Sequence, residues 1–539
     1  MVISYFQALA AFIMLFAANP STVFAQSADV ILINGKVFTS DTGQLYVQAL
    51  AIKGNKILAV GSNTAINKLA TSKTKKIDLQ GKTVVPGFND AHDHLGWLSP
   101  VGVGFSYTEM DPAGLSKAVV LDSISRLVKM AKPNQWISGW IGTTVLYDTS
   151  MRVALDSMAP DNPVVLQTWW GHGLVANKKA LEISGISDED KNPVGGWYER
   201  ASPTGKITAI QENAQLPIWN AWFSSDYKEQ LKGMQTYSRL QLRNGITTVQ
   251  QMSSTFSAKQ SKLFFEAAGL HQRIRVIAWP RYTLSGSTLQ EWNVKINSSA
   301  PLVYVSGIKY LIDGAPLEQN SLNKKPYKEG GSWHGRLDYP ADTIEQFLKE
   351  ALTSNRQLML HITGDSSLAI VLALMKQLAG GDVWKSKRVR FEHNRTPDIT
   401  ASEVNDLKEL GILMMHTPKY CQSSPVRSFI EKGITVGISP DGTTNPFFDI
   451  MVITSQQTNP AENISREQAV IAYTKTNAYA EFKENEKGTL AKGMLADLVV
   501  LSQDIFTVPT EQLPATQSVL TIVDGKIVYQ QPNSNTARK

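Results

Sequence analysis

Short apolar runs rich in β-branched residues recur through the middle of the chain, separated by stretches of helical character. The first is Val84-Val85, which passes through Pro86-Gly87 into Phe88-Asn89-Asp90-Ala91-His92-Asp93-His94. Seven more occupy 245–249, 274–278, 303–309, 357–361, 389–393, 411–415 and 433–438. Runs of this kind are what strands buried on both faces look like. From the second run onward the spacers are mostly about 20–30 residues, room for one helix and two loops. Eight strands alternating with helices predict an α/β protein, a (β/α)8 TIM barrel over residues 85–484.

Two connections are longer. The first, about 100–240, carries Trp136, Trp140, Trp169, Trp170 and Trp197 and reads as an inserted subdomain standing over the strand ends. The second, between Lys309 and His361, holds Gly330-Gly331 and Trp333. It reads either as a substrate-covering loop or as an ordinary surface excursion. Residues 26–84 and 485–539 are strand-rich, with tight-turn signals at Asn34-Gly35 and Gly54-Asn55 in the first. Neither end has enough strands to bury a core alone, so the two are expected to build one small β-sandwich together.

Composition narrows the class. With 42% hydrophobic and 19% charged residues in 539, the chain is that of a globular protein with ample core. The net charge of +6 is thinly spread. Its densest cluster, Lys73-Thr74-Lys75-Lys76, reads as solvated surface, so no nucleic-acid partner is expected. No charged side chain occurs before residue 26. The apolar run Ala8–Ala18, broken by Pro20 and followed by Val23-Phe24-Ala25, predicts a signal peptide over 1–25. Cys421 is the single cysteine, which rules out an internal disulfide and suits a bacterial periplasmic or secreted protein. No second long apolar segment follows, so no membrane association is expected after cleavage.

The chemistry lies at the predicted strand ends. His92 and His94, two apart in an extended backbone, face the same way. His361 and His393 each close a strand, Lys309 closes another, and Asp441 follows the eighth by three residues. In a barrel of this type the C-terminal strand ends converge on one site. The four imidazoles and the carboxylate are therefore candidate ligands of a divalent metal. An ammonium cannot ligate a cation. Lys309 is either a rim salt bridge or, as a carbamate formed with carbon dioxide, a bridge between two ions. Two ions with a shared water would supply a hydroxide at neutral pH, with Asp441 passing its proton to the leaving nitrogen.

Taken together, these residues and the split sandwich resemble the amidohydrolase superfamily. Further motifs are similar to its amidohydrolase-3 branch, the group of YtcJ-like proteins and N-substituted formamide deformylases. They are Gly171-His172-Gly173-Leu174-Val175-Ala176-Asn177, Gly195-Gly196-Trp197, Ile308-Lys309-Tyr310-Leu311-Ile312-Asp313-Gly314 and Gly488-Thr489-Leu490. The resemblance implies hydrolysis of a non-peptide C–N bond in a small amide, N-formyl or cyclic amide substrate, with two zinc ions bridged by carboxylated Lys309. By analogy it gives His172 the task of orienting the substrate carbonyl. Tyr420, Trp333 and His416 are weaker candidates for lining the pocket. Two departures stand out: Pro440 precedes Asp441, and Trp170 precedes Gly171-His172. The alternatives are a non-catalytic regulatory or binding protein on the same fold, and a heterocycle deaminase, against which Lys309 counts. Association with a second copy of the chain is left open. The export reading predicts a mature chain beginning near Gln26, and intact-mass measurement of the exported protein checks it.

Overall fold

The computed structural model describes residues 27–532 apart from 96–100, 108, 110, 281–301, 396–397, 422 and 443. The expected signal peptide therefore lies outside the described residues. Eight parallel strands form one sheet in sequential order: β1 (Phe88–Asp93), β2 (Ile246–Ser253), β3 (Arg273–Ala278), β4 (Val303–Leu311), β5 (Leu358–His361), β6 (Arg390–His393), β7 (Leu413–His416) and β8 (Thr435–Ile438). This is the expected barrel, and all eight strands fall where the apolar runs placed them. The connection between β6 and β7 shows how local sequence sets the elements. Thr400 and Glu403 form a capping box that starts helix Ala401–Leu410. Gly411 then ends it in the left-handed conformation, φ 65°, and hands the chain to β7.

The seam of the barrel is closed by a side chain. Hydrogen-bonded strand pairing runs from β1 round to β8 but not between those two. Asn477 bridges them instead, its Nδ2 donating to the carbonyls of Asn89 (2.7 Å) and Ile438 (2.6 Å). A π-helical turn over Ala472–Thr476 delivers Asn477 to this position. Gly437 leaves the space, since a Cβ there would lie 2.4 Å from Asn477 Oδ1.

The two chain ends share one sandwich. A six-stranded sheet runs Lys526–Gln530, Ser518–Val523, Leu498–Leu501, Thr83–Pro86, Lys36–Phe38, Tyr46–Val47. Leu498–Leu501 pairs antiparallel with Thr83–Pro86, so the C-terminal strands complete a sheet begun by the N-terminal ones. A four-stranded sheet of N-terminal residues packs on it, with Leu32, Leu50, Val84, Leu498 and Ile522 in a common core. The chain leaves this sandwich for β1 through Gly87. A Cβ at Gly87 would sit 2.1 Å from Thr247 Oγ1, so the Pro-Gly break is required by close approach to β2.

Residues 103–212 of the insertion contain a six-stranded mixed sheet ordered Gly196–Arg200, Ile207–Glu212, Gly173–Ala176, Val164–Thr168, Ile137–Ile141, Val103–Phe105. It has its own core, around Val120, Ile137, Leu155 and Leu166. A second core holding Trp136, Trp219 and Trp222 joins it to Met252, Ile277 and Leu311 of the barrel.

Removing the seam bridge strands two buried carbonyls. Asn477→Ala is expected to lower unfolding stability by roughly 2–4 kcal/mol, at about 1–2 for each lost partner. Denaturant titration with an unchanged m-value checks it.

Candidate metal centre

The strand ends bring together His92, His94, Lys309, His361, His393 and Asp441, which line one cleft of about 330 Å³ along with His172. Lys309 sits deeper than a strand-end residue, because β4 runs on to Leu311 and it is Leu311 that pairs with His361. His393 is turned inward by its backbone. Strand alternation aims Arg390 and Glu392 into the barrel and would turn His393 out. At φ 80° the chain twists as the strand ends and brings the ring back. Asp441, after Pro440, is also left-handed (φ 44°). Glu212, beside His172, has φ 51°. Three non-glycine residues in this strained region thus border one cleft.

Distances set two pairs of imidazoles around one carboxylate. Asp441 Oδ1 lies 3.7 Å from both His92 Nε2 and His94 Nε2. These three atoms fall within 4.8 Å of one another. That is too far for hydrogen bonds, but ligand atoms about 2.1 Å from one tetrahedral ion stand roughly 3.4 Å apart. The rings of His361 and His393 make the second group, with centroids 4.4 Å apart. Their Nε2 atoms are buried and, among the described residues, have no hydrogen-bond partner. His393 Nδ1 lies 3.6 Å from Asp441 Oδ2, so the carboxylate faces both groups. Lys309 Nζ stands 2.7 Å from His92 Nε2. Among the described residues it has no ion pair, contrary to the rim salt bridge considered from sequence.

Burial sets the protonation states. It pushes His92, His361 and His393 well below the ordinary imidazole range and His94 down to about 3, with Lys309 adding to each shift. It brings Lys309 down to about 8, against the opposing pull of Glu392 and Asp441. It raises the Asp441 carboxyl, which Lys309 and His172 partly offset. The rings are therefore neutral and offer lone pairs. Neutral imidazoles around a carboxylate, two of them with an orphaned buried Nε2, beside a readily neutralised amine, fit a divalent cation.

Sequence reasoning missed the support behind these groups. Glu392 Oε2 accepts from His92 Nδ1 at 2.8 Å, which turns the Nε2 lone pair toward Lys309 and Asp441 in the cleft. Arg390, fully buried, holds Glu392 through Nε and Nη2 at 2.8 and 3.0 Å. The alternation Arg390-Phe391-Glu392 carried this signal, because a charged pair two apart in a buried strand has to share the barrel interior. Glu212 stands behind His172, with its two oxygens 2.8 and 2.9 Å from Nδ1. Glu212 comes from the inserted sheet, and nothing in its sequence spacing marked it.

Two of the weaker expectations fail. Trp333 is 48% exposed, donates to the Gln319 carbonyl and lies outside the cleft. From the same connection it is Pro316 and Leu317 that reach the cleft wall. His416 is buried one strand beyond His393 and does not line the cleft. Tyr420 does line it, with Trp140, Trp169, Trp170, Trp219 and Trp279, so the pocket is aromatic.

A parallel barrel with buried imidazoles and a carboxylate gathered at its C-terminal face is the architecture of a metal-dependent hydrolase. The sequence matches the profile of the Amidohydrolase family over residues 75–529, and the chain belongs to that family. It is 26% identical over 556 residues to the N-substituted formamide deformylase of Arthrobacter pascens, covering 94% of this chain and 100% of that one. It is also 26% identical over 554 residues to the protein LONG AFTER FAR-RED 3 of Arabidopsis thaliana (93% and 92% covered). YtcJ of Bacillus subtilis (strain 168) is 24% identical over 530 residues (91% and 96%). Among solved structures, an uncharacterized metal-dependent hydrolase from Pyrococcus horikoshii OT3 superposes with TM-score 0.68 at 19% identity, over 89% of this chain and 99% of that one. The shared fold extends over nearly the whole described chain.

If Glu392 fixes the tautomer of His92 for a metal, Glu392→Gln will weaken metal affinity about 10–100-fold while leaving the circular dichroism spectrum unchanged. Competition with a chelator measures it.

Proposed function

We propose that this protein, once exported, hydrolyses a non-peptide C–N bond in a small amide, N-formyl or cyclic amide substrate. The observation that carries this reading is the pair of orphaned Nε2 atoms on His361 and His393, residues that line one cleft with His92, His94 and Asp441. His92, His94 and Asp441 would hold one divalent ion, and His361 and His393 a second. Lys309, as a carbamate formed with carbon dioxide, would add oxygen ligands to this set. Zinc suits a site of imidazole and carboxylate ligands. When bound, such ions polarise the carbonyl and bring the pKa of a water towards about 7.

The protein's own groups carry the rest. Asp441, the carboxylate facing both groups, accepts the proton of the attacking water and returns it to the leaving nitrogen as the C–N bond breaks. His172 orients the carbonyl. Burial and the nearby Asp313 raise the Glu212 carboxyl well above its usual range, so it is neutral and donates to His172 Nδ1. The Nε2 hydrogen of His172 then faces the cleft as a donor to the carbonyl oxygen. The tryptophan walls exclude water and favour substrates with an apolar substituent. The similarity to the formamide deformylase supports an amide-type scissile bond.

Asp441→Asn is expected to keep its bound metal and lose about 10²–10⁴-fold in kcat. Elemental analysis alongside turnover on N-formyl and N-acyl amines checks it; an undiminished rate would falsify the proton-transfer role.

A further inference from the structure

The cleft has a second lobe, which shares Lys419 with the first and adds Arg395. Alongside His361, His393 and Asp441 it is bounded by Arg395 and Lys419. Arg395 follows β6 by two residues and Lys419 follows β7 by three, so both stand on the barrel's C-terminal face. Both are half-buried. Arg395 Nη1 donates to the Thr363 carbonyl at 3.2 Å, which fixes the guanidinium in place but does not neutralise it. Lys419 Nζ lies 5.8 and 5.2 Å from the ring centroids of Trp169 and Tyr420. Among the described residues neither cation has a carboxylate within 4.0 Å. Exposed Glu109 borders the other lobe only.

Two half-buried cations bordering one lobe carry a desolvation cost, which Asp441 and Asp449 offset only from beyond ion-pair distance and at Lys419. An anion entering the lobe would offset it. We propose that Arg395 and Lys419 form an anion subsite, and that the preferred substrate carries a carboxylate close to its scissile C–N bond. The substrate class is then N-acyl or N-formyl amino acids, in preference to neutral amides. Arginine's planar fork matches a carboxylate, and Lys419 adds a point charge beside it. Trp169 and Tyr420, which flank Lys419, supply an apolar surface for the amino-acid side chain. The placement of the scissile bond rests on the hydrolase reading above, whereas the subsite itself can be measured without turnover.

Calorimetric titration of the metal-loaded enzyme with phenylacetate and phenylacetamide tests the subsite. Phenylacetate is expected to bind more tightly, and Arg395→Gln/Lys419→Met to weaken it at least about tenfold, the loss of one or more charged hydrogen bonds. Lys419→Arg, which keeps the charge, is expected to retain most of the affinity. Phenylacetate affinity equal in the wild type and the folded double variant overturns the subsite, because an acid held only by metal would behave that way. The substrate class is read from kcat/KM for N-formylphenylalanine over N-formyl-2-phenylethylamine. That ratio should be tenfold or more and fall towards one in the double variant, chiefly through KM. A wild-type ratio near one overturns the substrate assignment while leaving hydrolysis intact. Hydrolysis of neither compound, with phenylacetate binding as expected, sinks the hydrolase reading and leaves the subsite standing.

Discussion

Desolvated imidazole nitrogen is the constraint on which the rest of this structure depends. Four rings with lone pairs are pressed together at the end of a barrel, two of them with a buried Nε2 that finds no donor among the described residues. Leaving such atoms unpaired is costly, and protonating them beside Lys309 and one another costs more. A cation resolves both problems at once, since it takes the lone pairs and offsets the Asp441 charge. The strain at His393, Asp441 and Glu212 makes sense in this light, because each departs from ordinary backbone geometry to aim a side chain into the same cleft.

Much of the fold serves to hold that arrangement still. Inside the barrel the expected branched apolar layers give way to a polar one. Gln250 Oε1 accepts from both Arg275 (3.0 Å) and Arg390 (2.6 Å), and Arg390 in turn clamps Glu392 behind His92. Buried ion pairs contribute little to stability by themselves. Their worth here is positional, fixing one ring orientation and one tautomer. The Asn477 bridge belongs to the same scheme. It holds β1, which carries His92, against β8, which leads to Asp441, at the one place where strand pairing is missing. The sandwich contributes at the opposite end, where Arg273 on β3 meets Asp497 (2.6 Å) and Asp524 (2.9 Å) in a largely buried ion-pair cluster.

The insertion forms much of the cleft wall. It covers the strand ends with tryptophans and brings His172, together with its partner Glu212, from a sheet of its own. A cluster of ligands at the barrel mouth suits many hydrolytic reactions. Around that cluster stand aromatic side chains, with Arg395 and Lys419 among them.

The sequence by itself determined the eight strands, their order, the sharing of the sandwich between the two chain ends, and the six strand-end residues that meet in the cleft. It could do so because buried parallel strands are written as continuous apolar runs, and because the barrel sends every strand's C-terminal end to one rim. Only the tertiary structure decided the depth of Lys309, the inward turn of His393, the exclusion of Trp333 and His416, and the roles of Glu392, Glu212, Arg395, Lys419 and Asn477. Those depend on twist, bulges and loop paths. A register slip of one residue reverses the face a side chain points to, and contacts across hundreds of residues leave no mark in local spacing. Composition and periodicity report how a segment is buried, whereas the partner a buried polar atom meets is settled only once the chain has closed on itself.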